Sequence, residues 1–389
     1  MASPNSVDTF IQGEKLPVDV GAIEKELATL WQNAAESDRD QNGAESNSTA
    51  VMRACTLNLV VHTDNDRSAE DAVAAIAEFT SRHPCRTIVL VAEREAEPDD
   101  LNAYVSAHCH LPVAGAKQVC CEQITVHAQG KAVEEVSGVV LPLLINDLQV
   151  VLWWTAGLPE SDELFERLLG ASDRLILDSG QAHDLGITLA AANALAVNWK
   201  PGHISDLAWH RLEDWRECIA EVFEPTALSP LMAGIEKLSV AIGGNDLESV
   251  NLSQPVLLSS WLAVQLGWKL LEPFVLEDNR YRSRWNSDGH EIVGEIKLGE
   301  GDAGEISAVN LEARSGQQSS RFLIRRTEGQ GSLTLEATAT ASVDSEEVIH
   351  RNLLQVQKIS VARMMADELD HSQRDEVYVK TLLMATQMV

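Results

Sequence analysis

The fold of this chain is constrained most by residues 139–179, VVLPLLINDLQVVLWWTAGLPESDELFERLLGASDRLILDS. Two short apolar runs, Leu148–Trp154 and Arg174–Asp178, flank an amphipathic segment, Asp162–Leu169. Runs of Val, Ile, Leu and Trp without polar alternation are typical of strands buried on both faces of a parallel sheet. The stretch is therefore predicted to form a strand, a helix and a second strand. It contains no nucleophile elbow, phosphate-binding loop or metal-ligand spacing.

The same alternation of strand and helix patterns extends over residues 52–200. Further strands are predicted at Cys55–His62, Arg86–Ala92 and Gln118–His127, and further helices at Ser68–Ser81, Asp99–His108, Ala132–Leu144 and Ile187–Val197. Ser68 is expected to cap the first of these helices. Alternating strands and helices favour a doubly wound, mostly parallel sheet, so this part is predicted to be an α/β domain.

After residue 200 the pattern changes to helices followed by strands of alternating polarity. The predicted helices are Asp206–Phe223, Pro230–Ile242 and Ser253–Leu266; the predicted strands are Tyr281–Trp285, Glu291–Leu298, Glu305–Ala313, Arg321–Arg326 and Ser332–Ala339; two closing helices are Glu346–Glu368, in part, and Asp375–Gln387. Turns rich in Gly, Asp and Ser separate the strands, as in an antiparallel meander. This part is predicted to be an α+β domain with a helical layer.

The first hairpin of the meander can be given a register. If Asp288 and Gly289 form a two-residue turn, facing residues have numbers that sum to a constant. The predicted pairs are Trp285 with Ile292, Tyr281 with Ile296 and Arg282 with Glu295. This register places the aromatic and aliphatic side chains on one face and the charges on the other, so it is self-consistent.

Three regions are predicted along the chain. Residues 1–50 are expected to be mostly flexible, with one short helix at Val20–Trp31 and a polar linker after it. Residues 51–200 are expected to form the α/β domain, and residues 201–389 the α+β domain with its antiparallel sheet.

The charge balance limits the kinds of molecule that are expected to bind this protein. The chain has 30 Lys and Arg against 59 Asp and Glu, a formal net charge of −29. Such a field repels phosphate backbones and anionic lipid, so neither nucleic acid nor a membrane surface is expected as a partner. The acidity serves solubility, or it complements a basic or cation-lined protein; both interpretations stay open.

The chain is expected to be cytoplasmic. Its N-terminus lacks the basic and apolar regions of a signal peptide. Its most apolar window is interrupted by Pro142, Asn146 and Asp147, too early for a membrane span. The six cysteines are Cys55, Cys85, Cys109, Cys120, Cys121 and Cys218. Because they form no CxxC pair and lie mostly in apolar segments, they are interpreted as small buried side chains rather than disulfides, with redox control left open.

No residue is assigned to catalysis or to a cofactor. The turns after the predicted strands, such as HTDNDRSAE and DSGQAHDLG, contain neither GxGxxG nor a phosphate loop, so dinucleotide binding is not expected. A small anion at Gly180, or at the helix after it, stays open. Ser179, His183 and Asp184 are close in sequence, but the serine has no elbow around it, so a catalytic triad is not expected.

No metal site is assigned either. His108, Cys109 and His110 are followed by Cys120 and Cys121, which together supply ligand types within a short span. Adjacent strand residues point to opposite faces, and vicinal cysteines do not both reach one tetrahedral ion easily. Ordinary buried cysteines and surface histidines are the preferred interpretation.

Arginines are the more informative signal in so acidic a chain. Arg280, Arg282 and Arg284 alternate along one predicted strand and so share one face. Arg325 and Arg326 lie on a later strand of the same sheet, which also carries Arg321. One interpretation is cross-strand ion pairing. The other is a docking surface for an acidic patch or phosphate. On this interpretation the predicted partner contacts are five arginines: Arg280, Arg282, Arg284, Arg325 and Arg326.

Six segments occur in the order and at about the spacing of a known family: RACTLNLVVHT, HPCRTIVLVAE, CCEQITVHAQG, VLPLLINDLQVVLWWTAGLP, ASDRLILDS and WHRLEDWRECIAEVFEP. From residue 52 into its last third, the chain resembles the glucose-6-phosphate dehydrogenase assembly proteins of the OpcA family. The resemblance implies a non-catalytic protein that binds glucose-6-phosphate dehydrogenase and promotes its active oligomer in the oxidative pentose phosphate pathway. Some cyanobacterial members respond to thioredoxin, but no cysteine follows Cys218, so a C-terminal thiol switch does not carry over. The alternative is a sugar-phosphate or nucleotide sensor that uses the α/β crevice.

Overall fold

The computed structural model describes residues 9–12, 16–42, 52–110, 119–200, 202–226, 228–316, 318–329, 332–343, 346–371 and 373–389. The chain divides into two compact units. Unit 1 comprises Met1–Leu177, Trp199–Ser205 and Ser360–Gln373, and unit 2 comprises Asp178–Asn198, Asp206–Ile359 and Arg374–Val389. Each unit is therefore assembled from three separate segments of the chain. The predicted boundaries at residues 50 and 200 remain predictions.

The strands are β1 (Thr9–Gln12), β2 (Leu16–Pro17), β3 (Met52–Arg53), β4 (Leu57–Thr63), β5 (Cys85–Glu93), β6 (Asp100–His110), β7 (Val119–Gln129), β8 (Gln149–Trp154), β9 (Arg174–Leu177), β10 (His203–Asp206), β11 (Ile235–Gly243), β12 (Lys269–Glu277), β13 (Arg280–Ser287), β14 (His290–Gly299), β15 (Ile306–Ser315), β16 (Gln318–Gly329), β17 (Ser332–Val343) and β18 (Glu346–Val356). The helices are α1 (Val20–Asn42), α2 (Asp66–Phe79), α3 (Ala132–Glu135), α4 (Ser137–Val140), α5 (Glu163–Gly170), α6 (Leu185–Asn198), α7 (Leu207–His210), α8 (Glu213–Val222), α9 (Ser253–Leu266), α10 (Val361–Asp370) and α11 (Glu376–Ala385). Short 3₁₀ turns lie at Leu141–Leu143, Ser179–Gln181 and Ser229–Gly234.

The sheet of unit 1 confirms the predicted α/β class. Its strand order is β1-β6-β7-β5-β4-β8-β9-β10, with β2 beside β6 and β3 beside β7. The central strands β7, β5, β4, β8 and β9 are parallel, whereas β6 runs antiparallel to β7. Every residue of β4 is buried, as the continuous apolar run predicts.

One predicted helix of unit 1 is wrong. Asp99–His108 was expected to be helical, but strand β6 occupies it and pairs with β7 along its whole length. Ala103, Val105 and Ala107 are fully buried, which is the two-residue period of a strand face. Alanine has weak strand propensity, so the neighbouring strand rather than local preference fixes this segment.

Other boundaries in unit 1 also differ from expectation. Helix α1 runs to Asn42, beyond the predicted end at Trp31 and into the segment expected to be a linker. The rest of that segment, residues 43–50, lies outside the described residues. Helix α2 is capped by Asn65, whose side-chain oxygen accepts from Ser68 N at 2.8 Å, so the cap is not Ser68 as predicted. The predicted helix Ala132–Leu144 is divided into α3, α4 and a 3₁₀ turn.

Helix α10 is joined to unit 1 by a buried arginine. Arg174, at the start of β9, is 3% exposed and donates to the carbonyl oxygens of Glu368 and His371 at 2.5 and 2.6 Å. It also donates to the Glu368 carboxylate at 2.6 Å and to Ser205 Oγ at 2.9 Å. One guanidinium thus ties together all three chain segments of unit 1. A buried charge is costly unless it is paired with an opposite charge and hydrogen-bonded, and Arg174 meets both conditions.

Unit 2 is built on a second sheet, in the order β12-β13-β14-β11-β15-β16-β17-β18. Strand β11 is parallel to β14, and the other neighbouring strands of this sheet pair in antiparallel fashion. The register predicted for the first hairpin is confirmed. Trp285 faces Ile292, Tyr281 faces Ile296 and Arg282 faces Glu295.

The largest errors in unit 2 concern strands mistaken for helices. The predicted helix Pro230–Ile242 is a 3₁₀ turn followed by β11, which lies between β14 and β15 at the centre of the sheet. The first part of the predicted helix Glu346–Glu368 is the edge strand β18, and only α10 is helical. Strand β12 was missed. The predicted helix Asp206–Phe223 is two helices, α7 and α8.

Helices cover one face of this sheet. Trp215, Cys218 and Val222 of α8 are buried, and the Phe223 ring packs on Phe322 of β16 with centroids 4.5 Å apart. The side chains on this covered face, such as Trp285, are fully buried. The opposite face exposes its side chains, as is common for antiparallel sheets. No helix within the described part of the chain is long and apolar enough to cross a membrane.

Candidate protein-interaction surface

The exposed side of the unit 2 sheet, which we call the open face, is formed by alternate residues of each strand. On β13, Ser283 and Trp285 are buried while Arg280 and Arg284 are exposed, so the register assigns each residue to a face. The described cations of the open face are Lys237, Lys269, Arg280, Arg282, Arg284, Lys297, Arg314, Arg321, Arg325 and Arg351, and the described acids are Glu236, Glu272, Glu277, Glu291, Glu295, Glu312 and Glu336. Cations therefore outnumber acids here, in a chain of net charge −29.

The structure brings four of the five predicted arginines to this face. Arg280, Arg282 and Arg284 lie on β13, and Arg325 lies on β16, where it faces Ala308 of β15. Arg326 follows Arg325 directly and so lies on the covered face. Its guanidinium pairs there with Glu305.

Each of these arginines has an acidic partner. Arg280 Nη1 donates to Glu295 Oε1 at 2.7 Å, and Arg284 Nε donates to Glu272 Oε2 at 2.7 Å. Arg282 lies 3.5 Å from Glu277 and Arg325 lies 2.6 Å from Glu336. Cross-strand ion pairing therefore accounts for their positions. A role in binding a partner remains a prediction for them.

A shallow groove of about 830 Å³ lies over the β12–β13–β14 end of the open face. Glu295 lies at its floor, 4% exposed, and accepts from Arg280 and from Ser239 Oγ at 3.2 Å, with Lys237 Nζ at 3.3 Å. Burial opposes ionisation of Glu295, but the hydrogen bond from Arg280 and the charge of Lys237 outweigh it, so its pKa lies below the ordinary value. The groove is thus lined by charges that already satisfy one another.

The β16–β17–β18 end of the open face is different. Ile349 and Leu353 of β18 are 58% and 66% exposed, the two most exposed large apolar side chains among the described residues. Arg351, between them, is exposed and has no hydrogen bond or ion pair to another described residue. Sequence reasoning missed these three because β18 was predicted to be helical. Apolar and polar residues do not alternate in Val348–Gln355, so the sequence carries no strand period that would have revealed them.

The switch point of the unit 1 sheet, where strand order reverses between β4 and β8, is occupied by the chain's own side chains. Ligands of open α/β sheets bind outside the carboxyl ends of the strands at such points. Here His62 stacks on Trp154 with ring centroids 3.5 Å apart, and Phe165 packs on Trp154 at 4.9 Å. Burial, assisted by the charge of Arg94, lowers the pKa of His62 to about 3, so the imidazole is neutral.

The other candidates from sequence have separate partners. The backbone N–H of the fully buried Ser179 donates to Asp206 Oδ1 at 3.0 Å, and Asp184 Oδ1 accepts from Ile187 N at the start of α6. The N–H of Gly180 donates to Asp178 Oδ1 at 3.0 Å. An anion at Gly180 would therefore compete with a carboxylate already in place.

The cysteines include one disulfide, so the expectation that none would form is wrong. Cys109 and Cys120 face each other in the β6–β7 register and are bonded. Cys85 and Cys121 are buried free thiols, and burial raises the pKa of Cys121 to about 11. In the described part of the chain no three His, Cys, Asp or Glu residues are placed to hold a metal. The side chain of His110 lies outside that part.

Two family models match most of the chain. One describes the N-terminal domain of a glucose-6-phosphate dehydrogenase subunit and matches residues 76–194, and its companion describes the C-terminal domain of the same subunit and matches residues 202–382. Among solved structures, glucose-6-phosphate 1-dehydrogenase from Mycobacterium avium is similar with a TM-score of 0.49 and 11% identity, over 86% of this chain and 91% of that one. That likeness is too weak to bear on function.

Curated relatives agree with the family models. A "Putative OxPP cycle protein OpcA" from Synechocystis sp. is 34% identical over 194 residues, which cover 49% of this chain and 38% of the relative. Another of the same name from Nostoc punctiforme is 28% identical over 256 residues, 66% of this chain and 50% of the relative. This chain thus covers half or less of each of these relatives. The chain belongs to the OpcA family of glucose-6-phosphate dehydrogenase assembly proteins.

Proposed function

We propose that this protein is a non-catalytic partner that binds glucose-6-phosphate dehydrogenase and promotes its active oligomer in the oxidative pentose phosphate pathway. The observation that carries the proposal is the match of both family models, whose descriptions name a subunit of that dehydrogenase. Together the two matches run from residue 76 to residue 382, across both units. A cytoplasmic location, where this pathway's substrate is oxidised, belongs to the same proposal.

The structure supports a binding role in two ways. The switch-point crevice is filled by His62 and Trp154, so the position that a nucleotide takes in such sheets is occupied. The open face of unit 2 presents an extended surface on which cations outnumber acids. Such a surface complements an acidic patch on a protein partner and steers its approach.

Promotion of the active form requires differential affinity. A protein that bound active and inactive dehydrogenase equally would shift nothing, however tightly it bound. A tenfold preference for the active oligomer corresponds to about 1.4 kcal/mol of coupling. The proposal therefore predicts that active oligomer tightens binding of this protein, and that this protein stabilises the oligomer by the same factor.

The test is the rate of glucose-6-phosphate oxidation by the cognate dehydrogenase at low substrate, with and without this protein, beside light scattering of the mixture. A higher rate together with a co-eluting complex is expected. This protein alone, without dehydrogenase, should give no oxidation. Absence of both the complex and the rate increase would overturn the proposal.

The alternative, a sugar-phosphate or nucleotide sensor, has less support because the crevice it needs is filled by side chains. It makes a separate prediction. A sensor would be stabilised against heat by its ligand in the absence of any partner, by RT ln(1 + [L]/Kd). A thermal shift with glucose 6-phosphate, NADP or NAD and no dehydrogenase would favour it.

A further inference from the structure

The two edges of the unit 2 sheet differ in how well they are protected. Edge strand β12 contains Pro273, carries Lys269, Glu272 and Glu277, and its register with β13 shifts twice. Proline, charge and irregular register are the devices that prevent another strand from pairing with a sheet edge. The β12 edge is therefore closed to strand addition.

Edge strand β18 has neither the proline nor the irregular register, although it carries charge at Glu346, Glu347 and Arg351. It is 11 residues long, contains no proline, and pairs with β17 in an unbroken register from Leu333↔Val356 to Val343↔Glu346. No further strand pairs with it among the described residues. A regular edge of this length offers alternate N–H and C=O groups to an incoming strand, although the N–H of Leu353 already donates to Asn352 Oδ1 at 2.9 Å.

The side chains beside this edge define what it would accept. Ile349, Arg351 and Leu353 project in turn from β18 onto the open face, and all three are exposed. The two aliphatic side chains are about 13 Å apart along the strand, at 3.3 Å per residue. A strand paired with β18 would place its own open-face side chains directly opposite these three. Apolar residues opposite Ile349 and Leu353 and an acid opposite Arg351 would complement them.

A second copy of this chain is the less suitable occupant. It would carry the same net charge of −29, so the two copies repel each other overall. The arginines at the opposite end of the open face are already paired, whereas Arg351 has no carboxylate partner among the described residues. The unpaired cation favours a partner that supplies the acid.

We propose that the free edge of β18 accepts an extended strand of glucose-6-phosphate dehydrogenase that carries an apolar, an acidic and an apolar side chain at every second residue, with the acid against Arg351. This inference rests on the proposed function and adds to it the contact surface and the mode of contact. The main-chain hydrogen bonds supply affinity, and Ile349, Arg351 and Leu353 supply specificity. The five arginines named from the sequence are not required for this contact.

The test is amide hydrogen exchange of the unchanged protein, alone and with the dehydrogenase. Amides of β18 that face the free edge exchange quickly in the protein alone and are expected to slow at least tenfold in the complex. Amides of the β12 edge should not change. A complex that forms without protection of β18 would overturn the edge contact and leave the proposed function standing. Absence of any complex would overturn both.

Binding of variants separates an edge contact from docking on the face. Arg351→Glu and Leu353→Ser are each expected to weaken binding about tenfold or more. The matched control is Arg321→Glu on β16, an exposed arginine of the same face that is two strands, about 10 Å, from β18 and so out of reach of an added strand. Equal loss with the control would overturn the edge contact in favour of face docking. Light scattering of this protein alone checks self-association, and a dimer lost on Leu353→Ser would overturn the choice of partner.

Discussion

Asp206 shows how a single residue is held where its charge is disfavoured. It is 1% exposed at the end of β10, and its Oδ1 accepts from Ser179 N and Ala208 N at 3.0 and 2.9 Å. Tyr378 Oη lies 3.2 Å from Oδ2. Burial, and then the charge of Asp178, raise the pKa of Asp206 to about 6, although the backbone hydrogen bonds oppose this.

The raised pKa makes stability depend on pH. Between pH 3.8, the ordinary pKa of an aspartate, and about pH 6, the carboxyl group of Asp206 holds its proton more tightly in the folded protein than in the unfolded chain. The contribution of Asp206 is therefore complete below 3.8 and is lost as pH rises through about 6. We expect Asp206→Asn to remove this contribution. As pH rises from roughly 3.5 to 7.5, the free energy of unfolding of the variant should increase by about 3 kcal/mol relative to that of the unchanged protein.

Urea unfolding of both proteins across this pH range measures the effect. Asparagine keeps one oxygen for the two backbone N–H donors, so the cap itself is retained. The difference between the two unfolding free energies, rather than either value alone, isolates Asp206 from the other titrating groups. Parallel pH profiles would contradict the assignment.

At the scale of elements, the β13–β14 hairpin has little room for change on its covered face. A Cβ at Gly294 would lie 2.2 Å from Ser283 Oγ and 3.1 Å from Trp285 Nε1. Those two atoms are themselves hydrogen-bonded, Trp285 Nε1 donating to Ser283 Oγ at 3.0 Å. Because Gly294 has no side chain, the buried Trp285 and its hydrogen-bond acceptor Ser283 can pack closely against strand β14.

Gly294→Ala is expected to destabilise the protein by about 1–3 kcal/mol, because the added methyl displaces Ser283 and breaks this hydrogen bond. Chemical denaturation measures the loss. Gly138→Ala is the control, since a Cβ there meets nothing within 4 Å and alanine favours helix. Equal effects of the two substitutions would show that the crowding at Gly294 is relieved by movement of its neighbours.

Elements were predictable from sequence where composition and environment agree. Strands β4, β5 and β8 are continuous apolar runs, and the β13–β14 register follows from one Asp-Gly turn. Helices are predicted in place of strands β6, β11 and β18 because alanine, lysine, glutamate or leucine in them favour helix locally. Their strand conformation comes from the neighbours they pair with, which are distant in sequence.

The candidate surface was predictable only in part, for the same reason. Alternation placed Arg280, Arg282 and Arg284 on one face, and the structure agrees. The acids that neutralise Arg284 include Glu272 on β12, a strand the sequence did not reveal. Whether an arginine is paired or free depends on such neighbours, so the contrast between Arg284 and Arg351 could not be predicted.

For the whole molecule, the dominant property is the charge of −29. A large net negative charge repels itself in the compact state and destabilises that state, whereas exposed ion pairs contribute little to stability. Raising NaCl from about 20 to about 300 mM shortens the Debye length to less than 10 Å and screens the repulsion. We expect the midpoint of thermal unfolding to rise by roughly 1–2 °C, equivalent to about 1 kcal/mol.

Differential scanning calorimetry at neutral pH checks this. Sodium chloride is suited to the purpose because sulfate would add a general salting-out effect. A fall in the midpoint would mean that ion pairs such as those of Arg284 and Arg325 outweigh the net repulsion.

The hydrogen bonds of Arg174 have a consequence for biosynthesis. Its acceptors include the carbonyl oxygens of Glu368 and His371, which the ribosome adds almost two hundred residues later. At about 5–20 residues per second this interval is roughly 10–40 s. Through that time the nascent chain holds a guanidinium destined for burial without its partners, so unit 1 cannot complete its folding while the rest is being made. The order of translation therefore does not separate the two units into successive folding steps, and both reach their final form only when the last segment has left the ribosome.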